Sequence, residues 1–131
     1  MACLFCSLQK NNGNILFENE YFYVLPDRFP CSKTHLLFIS KEHVAYMHEL
    51  PPLVASKIIN FIQKVVKHLQ LKAYTVVNNN EYMQLIKHAH FHLISADETG
   101  NANSDSNSNF SEDEYNEYVK EFKLKMKTFE S

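Results

Sequence analysis

Hydrophobic and polar positions alternate along the chain in a pattern that predicts several short strands. Ile15–Glu18 and Tyr21–Leu25 are β-branched or aromatic runs separated by two polar residues, which predicts a hairpin. Thr34–Ser40 is mostly apolar and predicts a strand that is buried on both faces. Ala73–Val77 and His88–Ser95 have the composition of two further strands. The pattern therefore predicts five strands.

Two segments have apolar residues at helical spacing instead. Leu50 to Lys72 has an apolar stripe with lysines opposite, and Pro51 and Pro52 lie at its start, where a missing N–H is tolerated. A second amphipathic helix is predicted to follow Ser111 and to run to Lys127, because Ser111 and Glu114 have the spacing of a capping box. One long helix among the strands favours an α+β fold with a five-stranded antiparallel sheet and a C-terminal helix over a doubly wound sheet.

The polarity of the chain also predicts its domain organisation. Residues 1–96 form one predicted domain, and residues 97–110 are a polar, low-complexity linker with too few apolar groups to order by core packing. Residues 111–131 form the C-terminal amphipathic helix, packed on the domain or appended to it.

Charge and composition narrow the function classes. Residues 1–96 contain nine Lys and Arg against six Asp and Glu, a net charge of +3, whereas the remainder has four Lys against nine acids, a net charge of −5. A mildly basic body fits a small anionic ligand better than a nucleic-acid groove, which needs many phosphate contacts. The chain has only two glycines, which argues against glycine-rich phosphate loops.

Cysteines and hydropathy predict the compartment. The three cysteines (Cys3, Cys6 and Cys31) are odd in number and follow no secretory signal, so a reducing cytoplasmic setting, or the nucleus, is expected. No stretch approaches 18 consecutive apolar residues, so no membrane association is predicted.

The strongest chemical signal is a strand with three histidines. His88, His90 and His92 alternate with apolar residues, so their imidazoles are predicted to share one face of the strand. A polar outer face or an accidental metal-binding tract would give the same pattern for one histidine. Three in strict alternation, on a strand whose other face is apolar, favour a site in which imidazoles act as nucleophile and phosphate ligands.

These residues resemble the signature of the histidine-triad (HIT) superfamily. His88–Ile94 (HAHFHLI) fits His-φ-His-φ-His-φ-φ apart from the small Ala89. Cys3–Cys6 resembles the family's opening CxFC, and residues 27–43 resemble its D-x-x-P and GHLLVIPKEH segments. Val76–Asn78 and Gln84 resemble the stretch before the triad, so the resemblance covers roughly residues 3–95 in the right order.

The resemblance implies catalytic roles. His90 would attack the α-phosphorus of a purine nucleotide, and the carbonyl of His88 would fix the tautomer of His90. His92 would assist the leaving group, with His35 and Gln84 as further contacts on the phosphate side. The implied reaction is hydrolysis or transfer through a nucleotidyl-histidine, on a dinucleoside polyphosphate, a nucleoside phosphoramidate or an adenylate.

The resemblance also implies a nucleotide pocket. Asp27 would bind the ribose hydroxyls, Asn78 would line the phosphate side, and Leu25 and Leu37 would form part of the base pocket. One loop departs from the family pattern N-x-G-x-x-x-G-Q-[ST]-V: residues 78–86 are one residue shorter, lack both glycines and have Leu85 in place of Ser or Thr. Ser95 stands where the family usually has proline.

A zinc site is a further expectation. From spacing alone, Cys3 and Cys6 are a half-site for zinc or simply two thiols. Zinc-bearing members of the resembled family use this pair with the histidine of PKEH and the first triad histidine, which correspond to Cys3, Cys6, His43 and His88. The resemblance therefore implies a structural zinc ion, with no metal needed for the chemistry.

Two other hypotheses remain beside the enzyme. The altered loop and the acidic tail are consistent with a nucleotide-binding regulatory protein of reduced catalysis, and the acidic tail disfavours nucleic-acid end processing. The resemblance also implies a homodimer that joins two five-stranded sheets, with the Leu50–Lys72 helix at the interface.

Overall fold

Strand pairing in the computed structural model gives one five-stranded sheet with helices on both faces. The structure describes residues 3–10, 13–96 and 109–129. Its helices are α1 (Leu4–Leu8), α2 (Pro52–Leu69) and α3 (Glu112–Lys125), with a 3₁₀ turn at Met47–Glu49. Its strands are β1 (Phe17–Glu18), β2 (Phe22–Pro26), β3 (His35–Ser40), β4 (Tyr74–Val77) and β5 (His90–Ser95).

The sheet has the order β1-β2-β3-β5-β4, and every neighbouring pair is antiparallel. This confirms the predicted α+β fold with a five-stranded antiparallel sheet. The second and fifth strands flank the central β3, so residues far apart in the chain become neighbours. Leu37 lies opposite His92, and Ile39 lies opposite His90.

The two faces of the sheet have different coverings. Phe22, Phe38 and Phe91 point to the face covered by α2 and α3, where Phe122 of α3 is fully buried among them. The opposite face carries a smaller cluster in which Phe5 of α1 packs on residues of β2 and β3. Because side chains alternate along a strand, His90 and His92 lie on this second face.

The long helix is shorter than predicted at both ends. Leu50 and Pro51 both have extended backbone, with ψ of 141° and 138°, because each precedes a proline whose ring excludes the helical conformation of the residue before it. The helix ends at Leu69, since Gln70 adopts a left-handed conformation with φ of 55°.

Two predicted strands are also shorter. The first begins at Phe17 rather than Ile15, and the histidine strand begins at His90 rather than His88. The backbone N–H of His88 donates to the carbonyl of Ile86 and that of Ala89 donates to Val44, while the carbonyl of Ala89 accepts the N–H of Ser40 at the end of β3.

The C-terminal helix begins with the predicted capping box. The backbone N–H of Glu114 donates to Ser111 Oγ at 3.1 Å, and the N–H of Ser111 donates to the Glu114 carboxylate at 2.9 Å. The helix ends at Lys125, two residues earlier than predicted, and buries one apolar face on the main core. Most of the predicted linker 97–110 lies outside the described residues.

Within the described ranges, no helix combines the length and the apolar character that a membrane span requires.

Candidate active site and metal centre

His90 is held by a backbone carbonyl. Its Nδ1–H donates to the carbonyl oxygen of His88 at 2.7 Å, which leaves a lone pair on Nε2. The ring of Phe5 lies edge-on to that of His90, with centroids 4.8 Å apart. Burial lowers the pKa of His90, while the bond to the His88 carbonyl partly opposes that effect. The result is a neutral imidazole with Nε2 free for nucleophilic attack.

His92 belongs to a short chain of hydrogen bonds that sets its tautomer. The backbone N–H of Cys31 donates to His35 Nδ1 at 3.2 Å, so His35 has its proton on Nε2. His35 Nε2 lies 2.9 Å from His92 Nδ1 and donates to it, which puts the proton of His92 on Nε2. Burial lowers the pKa of His92 to about 4, and the nearby His90 and His35 add to the shift. His92 is therefore a neutral hydrogen-bond donor through Nε2.

The carboxylate of Asp27 lies beside His35 and His92. Its Oδ2 is 3.4 Å from His35 Nε2 and 4.0 Å from His92 Nδ1, and its Oδ1 accepts the backbone N–H of Phe29 at 2.8 Å. Asp27, His35 and His92 are close enough to enclose a metal ion. The Cys31 N–H argues against that use, because it leaves a proton on the His35 nitrogen that would have to be the ligand.

Asn78 and Gln84 support the backbone around the triad. The side-chain amide of Asn78 donates to the carbonyl of His90 at 2.8 Å. Gln84 accepts the N–H of Glu81 at 2.9 Å and donates to the carbonyl of Ala45 at 2.7 Å. Both side chains thus order the loop between β4 and β5, which is a contribution that the sequence alone did not reveal.

The loop makes its turns without glycine. Glu81 and Met83 have φ of 64° and 59°, in the left-handed region that side chains with a Cβ seldom occupy. The Glu81 carboxylate accepts the hydroxyl of Tyr46 at 2.6 Å and pairs with Lys87. Leu85 is 96% exposed, so it contributes no packing here. Tyr46 and Lys87 were missed at the sequence level, because nothing in their local pattern indicates a contact with Glu81.

Leu25 and Leu37 lie on the face of the sheet that carries His90 and His92, as their predicted role requires. They are 4% and 6% exposed and pack with Tyr23, Ile39 and the helix α1. In the structure described here they present little surface of their own.

The candidate metal centre brings together all four predicted ligands. His43 Nδ1 and His88 Nδ1 are 3.1 Å apart, Cys6 Sγ is 3.2 Å from His43 Nδ1, and Cys3 Sγ is 3.4 Å from His88 Nδ1. The ligand bond lengths of tetrahedral zinc imply donor separations of about 3.3–3.8 Å, which is close to these values. The donor set therefore fits a structural zinc ion.

The orientation of His88 suits metal binding. Its Nε2–H donates to the carbonyl of Ser40 at 2.6 Å, which leaves the lone pair of Nδ1 directed at the other three donors. Such a bond from the second nitrogen is the usual support of a histidine ligand. The rings of His88 and His90 both contact the ring of Phe5, with centroids 5.9 Å and 4.8 Å from it, so they lie on the same face of the sheet. The rings of His90 and His92 lie side by side with centroids 5.0 Å apart.

Comparisons with known proteins agree with this geometry. The sequence profile of the HIT domain matches residues 9–99, and the chain belongs to the HIT family. It is 38% identical over 100 residues to an adenosine 5′-monophosphoramidase of Schizosaccharomyces pombe, covering 72% of this chain and 74% of that protein.

Solved structures share the fold. A histidine triad nucleotide-binding protein from Candida albicans is 25% identical with a TM-score of 0.68, covering 98% of this chain and 100% of that one. A Zn-bound histidine triad family protein from Mycobacterium smegmatis is 20% identical with a TM-score of 0.73, covering 97% and 94%, and it shows the common fold alone.

The placement of His35 and His92 predicts how stability depends on pH. Burial lowers the pKa of both below the value of about 6.5 that the unfolded chain would have, so the unfolded state binds more protons in acid. We expect the free energy of unfolding to be fully retained above this pH and to fall as pH drops towards 4.

Denaturant titrations between pH 7 and pH 4, with a chelator present, measure this effect. In His92→Asn, the slope of the free energy of unfolding against pH should be smaller than in the wild type. The difference should be up to about 1.4 kcal/mol per pH unit, the contribution of one titrating group. Equal slopes in the two proteins would contradict the buried, neutral state of His92.

Proposed function

We propose that this protein hydrolyses the P–N bond of adenosine 5′-monophosphoramidate, or of a closely related purine nucleoside phosphoramidate, through a nucleotidyl-histidine. The similarity to the monophosphoramidase of Schizosaccharomyces pombe supports this reaction class. The observation that carries the proposal is the pair of complementary tautomers: His90 offers a lone pair on Nε2, and the adjacent His92 offers an N–H.

In the first step, His90 Nε2 attacks the α-phosphorus. The P–Nε2 bond forms as the P–N bond breaks, and the electron pair of that bond leaves with the amine nitrogen. His92 gives its Nε2 proton to the leaving nitrogen as the P–N bond breaks, so that nitrogen departs as ammonia and not as an amide ion. The covalent histidine is a cation, with Nδ1–H still bonded to the His88 carbonyl.

In the second step, water replaces the histidine at phosphorus and AMP is released with neutral His90. Across both steps one water is consumed. It supplies the hydroxyl to phosphorus, and its other proton returns to His92 Nε2, which restores the starting state of both histidines. Neutral His90 suits this cycle because attack needs no prior loss of a proton.

The remaining predicted residues have supporting roles in the proposal. Asp27 retains acceptor capacity for ribose hydroxyls next to His35, and Leu25 and Leu37 would form part of the base pocket. Asn78 and Gln84 hold the loop on the phosphate side. The ligand proposed for these residues is a purine nucleotide.

A second candidate function is nucleotide binding with reduced catalysis, in a regulatory role. Leu85 favours it, because a fully exposed apolar side chain stands where the family has a hydroxyl that contacts phosphate.

Replacement of His90 separates the two candidates. We expect wild-type protein to release AMP from adenosine 5′-monophosphoramidate and His90→Ala to lose at least about a thousandfold in kcat, since no other group can form the covalent intermediate. His68→Ala is the control: this histidine of α2 bonds to the Lys125 carbonyl at the end of α3, away from the triad, and its loss should leave kcat unchanged. Tight binding of AMP by calorimetry without turnover in the wild type would favour the regulatory function, and full activity of His90→Ala would exclude His90 as the nucleophile.

We also propose that Cys3, Cys6, His43 and His88 hold a structural zinc ion. The ion would fasten α1 to the sheet and hold His88, whose carbonyl orients His90. Two thiolate ligands require reduced cysteines, which agrees with a cytoplasmic or nuclear location.

Metal analysis and thermal unfolding test the zinc site. We expect about one zinc per chain and a lower Tm after chelation, because a ligand that binds only the folded state stabilises it. Cys6→Ser should lose the metal, whereas Cys31→Ser, a cysteine outside the cluster, should retain it. Metal-free wild-type protein with an unchanged Tm would contradict the proposal.

We further propose a homodimer formed along β4 and α2. Within the described part of the chain, β4 pairs on one side only, and its Tyr74 and Val76 are 48% and 40% exposed. Ile59 of α2 adds another apolar side chain with 42% exposure. An unpaired strand edge beside exposed apolar side chains is a site for association with a second copy.

Light scattering tests the dimer. The wild type should have twice the chain mass of 15.3 kDa. Val76→Lys should shift the mass towards the monomer, because a charge at a strand edge opposes pairing. A monomeric wild type at micromolar concentration would reject the dimer.

A further inference from the structure

The C-terminal helix contributes two hydroxyl groups to the neighbourhood of the triad. This helix, α3, lies outside residues 9–99, the part that matches the HIT domain. Tyr115 and Tyr118 are three residues apart on its buried face and are only 5% and 8% exposed. Their hydroxyls reach the segment between β2 and β3, which contains Asp27 and leads into His35.

Tyr118 holds the turn that precedes His35. Its hydroxyl accepts the backbone N–H of His35 at 3.0 Å and lies 3.4 Å from the carbonyl of Ser32, to which it donates. Cys31, whose N–H bonds to His35 Nδ1, is in the same turn. The Tyr118 hydroxyl therefore fixes the backbone that decides which nitrogen of His35 has the proton.

Tyr115 holds the other end of the segment. Its hydroxyl donates to the carbonyl of Pro26 at 2.7 Å, next to Asp27. The guanidinium of Arg28 lies 5.1 Å from the centre of the Tyr115 ring and donates to the carbonyl of Phe110 at 2.8 Å. The backbone N–H of Asp27 in turn donates to the carbonyl of His35 at 2.9 Å, which links the two ends.

We propose that Tyr118, supported by Tyr115, is a positioning residue that keeps His35 and His92 in the tautomers needed for leaving-group departure. If the turn relaxes, His35 can carry its proton on Nδ1 and no longer donates to His92. His92 can then carry its proton on Nδ1, which removes the N–H that faces the substrate. His90 keeps its own bond to the His88 carbonyl and is not affected.

This arrangement predicts a defect that depends on the leaving group. Departure of an amine benefits from the His92 N–H, whereas p-nitrophenolate departs as a stable anion without that help. A general loss of folding or packing would instead slow both reactions equally. The inference rests on the proposed phosphoramidase function, but the tautomers themselves can be measured without any substrate.

The activity test compares Tyr118→Phe with the wild type on two substrates, using kcat/KM, which reports the first chemical step. We expect a loss of about three- to tenfold on adenosine 5′-monophosphoramidate, the factor that one ordinary hydrogen bond represents. We expect little change on the p-nitrophenyl ester of AMP. Tyr115→Phe should show the same pattern more weakly.

Val119→Ala is the matched control, because it removes packing from the same helix and leaves both hydroxyls in place. It should lower Tm and affect the two substrates equally. An equal loss on both substrates in Tyr118→Phe would overturn the positioning role.

The second measurement is NMR of the histidine side chains in ¹⁵N-labelled protein. The wild type should have both His35 and His92 protonated on Nε2, and Tyr118→Phe should show a mixture of tautomers at His35. Unchanged tautomers in the variant would overturn the inference. If the wild type releases no AMP, the proposed function fails, and this measurement still decides whether Tyr118 positions His35.

Discussion

The antiparallel pairing of β3 with β5 is the constraint on which the rest of the structure depends. It sets Ile39 opposite His90 and Leu37 opposite His92, so both imidazoles lie on the face away from α2 and α3. A shift of the register by one residue would turn both rings into the apolar core, where Phe91 and Leu93 now lie. The burial of Phe91 and Leu93 therefore keeps His90 and His92 on the opposite face of the sheet.

Backbone groups then decide the chemistry of each ring. The carbonyl of Ser40 puts the proton of His88 on Nε2, and the carbonyl of His88 puts that of His90 on Nδ1. The N–H of Cys31 acts through His35 on His92. Three histidines within five residues thus differ in which nitrogen has the proton, and the metal-ligand, nucleophile and hydrogen-bond-donor roles proposed for them rest on that difference. Burial supports this division, because it lowers the pKa of each ring and favours the neutral form.

Elements that are distant in the chain support the site from three sides. The metal centre connects α1 and the segment after β3 to His88. The loop after β4 is held by Asn78 and Gln84, and it adopts left-handed conformations at Glu81 and Met83 where glycines would be expected. The tyrosines of α3 complete the support behind Asp27 and His35. The fold thus makes these turns although the chain has few glycines. The loop after β4 then carries the side chains of Glu81 and Met83 at positions where glycine would leave only backbone.

Hydrophobic periodicity and the spacing of histidines are local properties, so they were enough to predict the fold class, the order of the elements and the identity of the triad. The capping box of Ser111 and Glu114 was predictable for the same reason, since its two residues are only three positions apart. The sequence could not show that His88 Nε2–H donates to the Ser40 carbonyl, that Asn78 and Gln84 bind backbone groups, or that Tyr118 reaches His35. Those contacts join residues up to 83 positions apart, and tertiary packing alone brings such atoms within hydrogen-bond distance. The tautomers of the histidines also depend on tertiary contacts, because the position of each proton is set by the group that the fold places beside the ring.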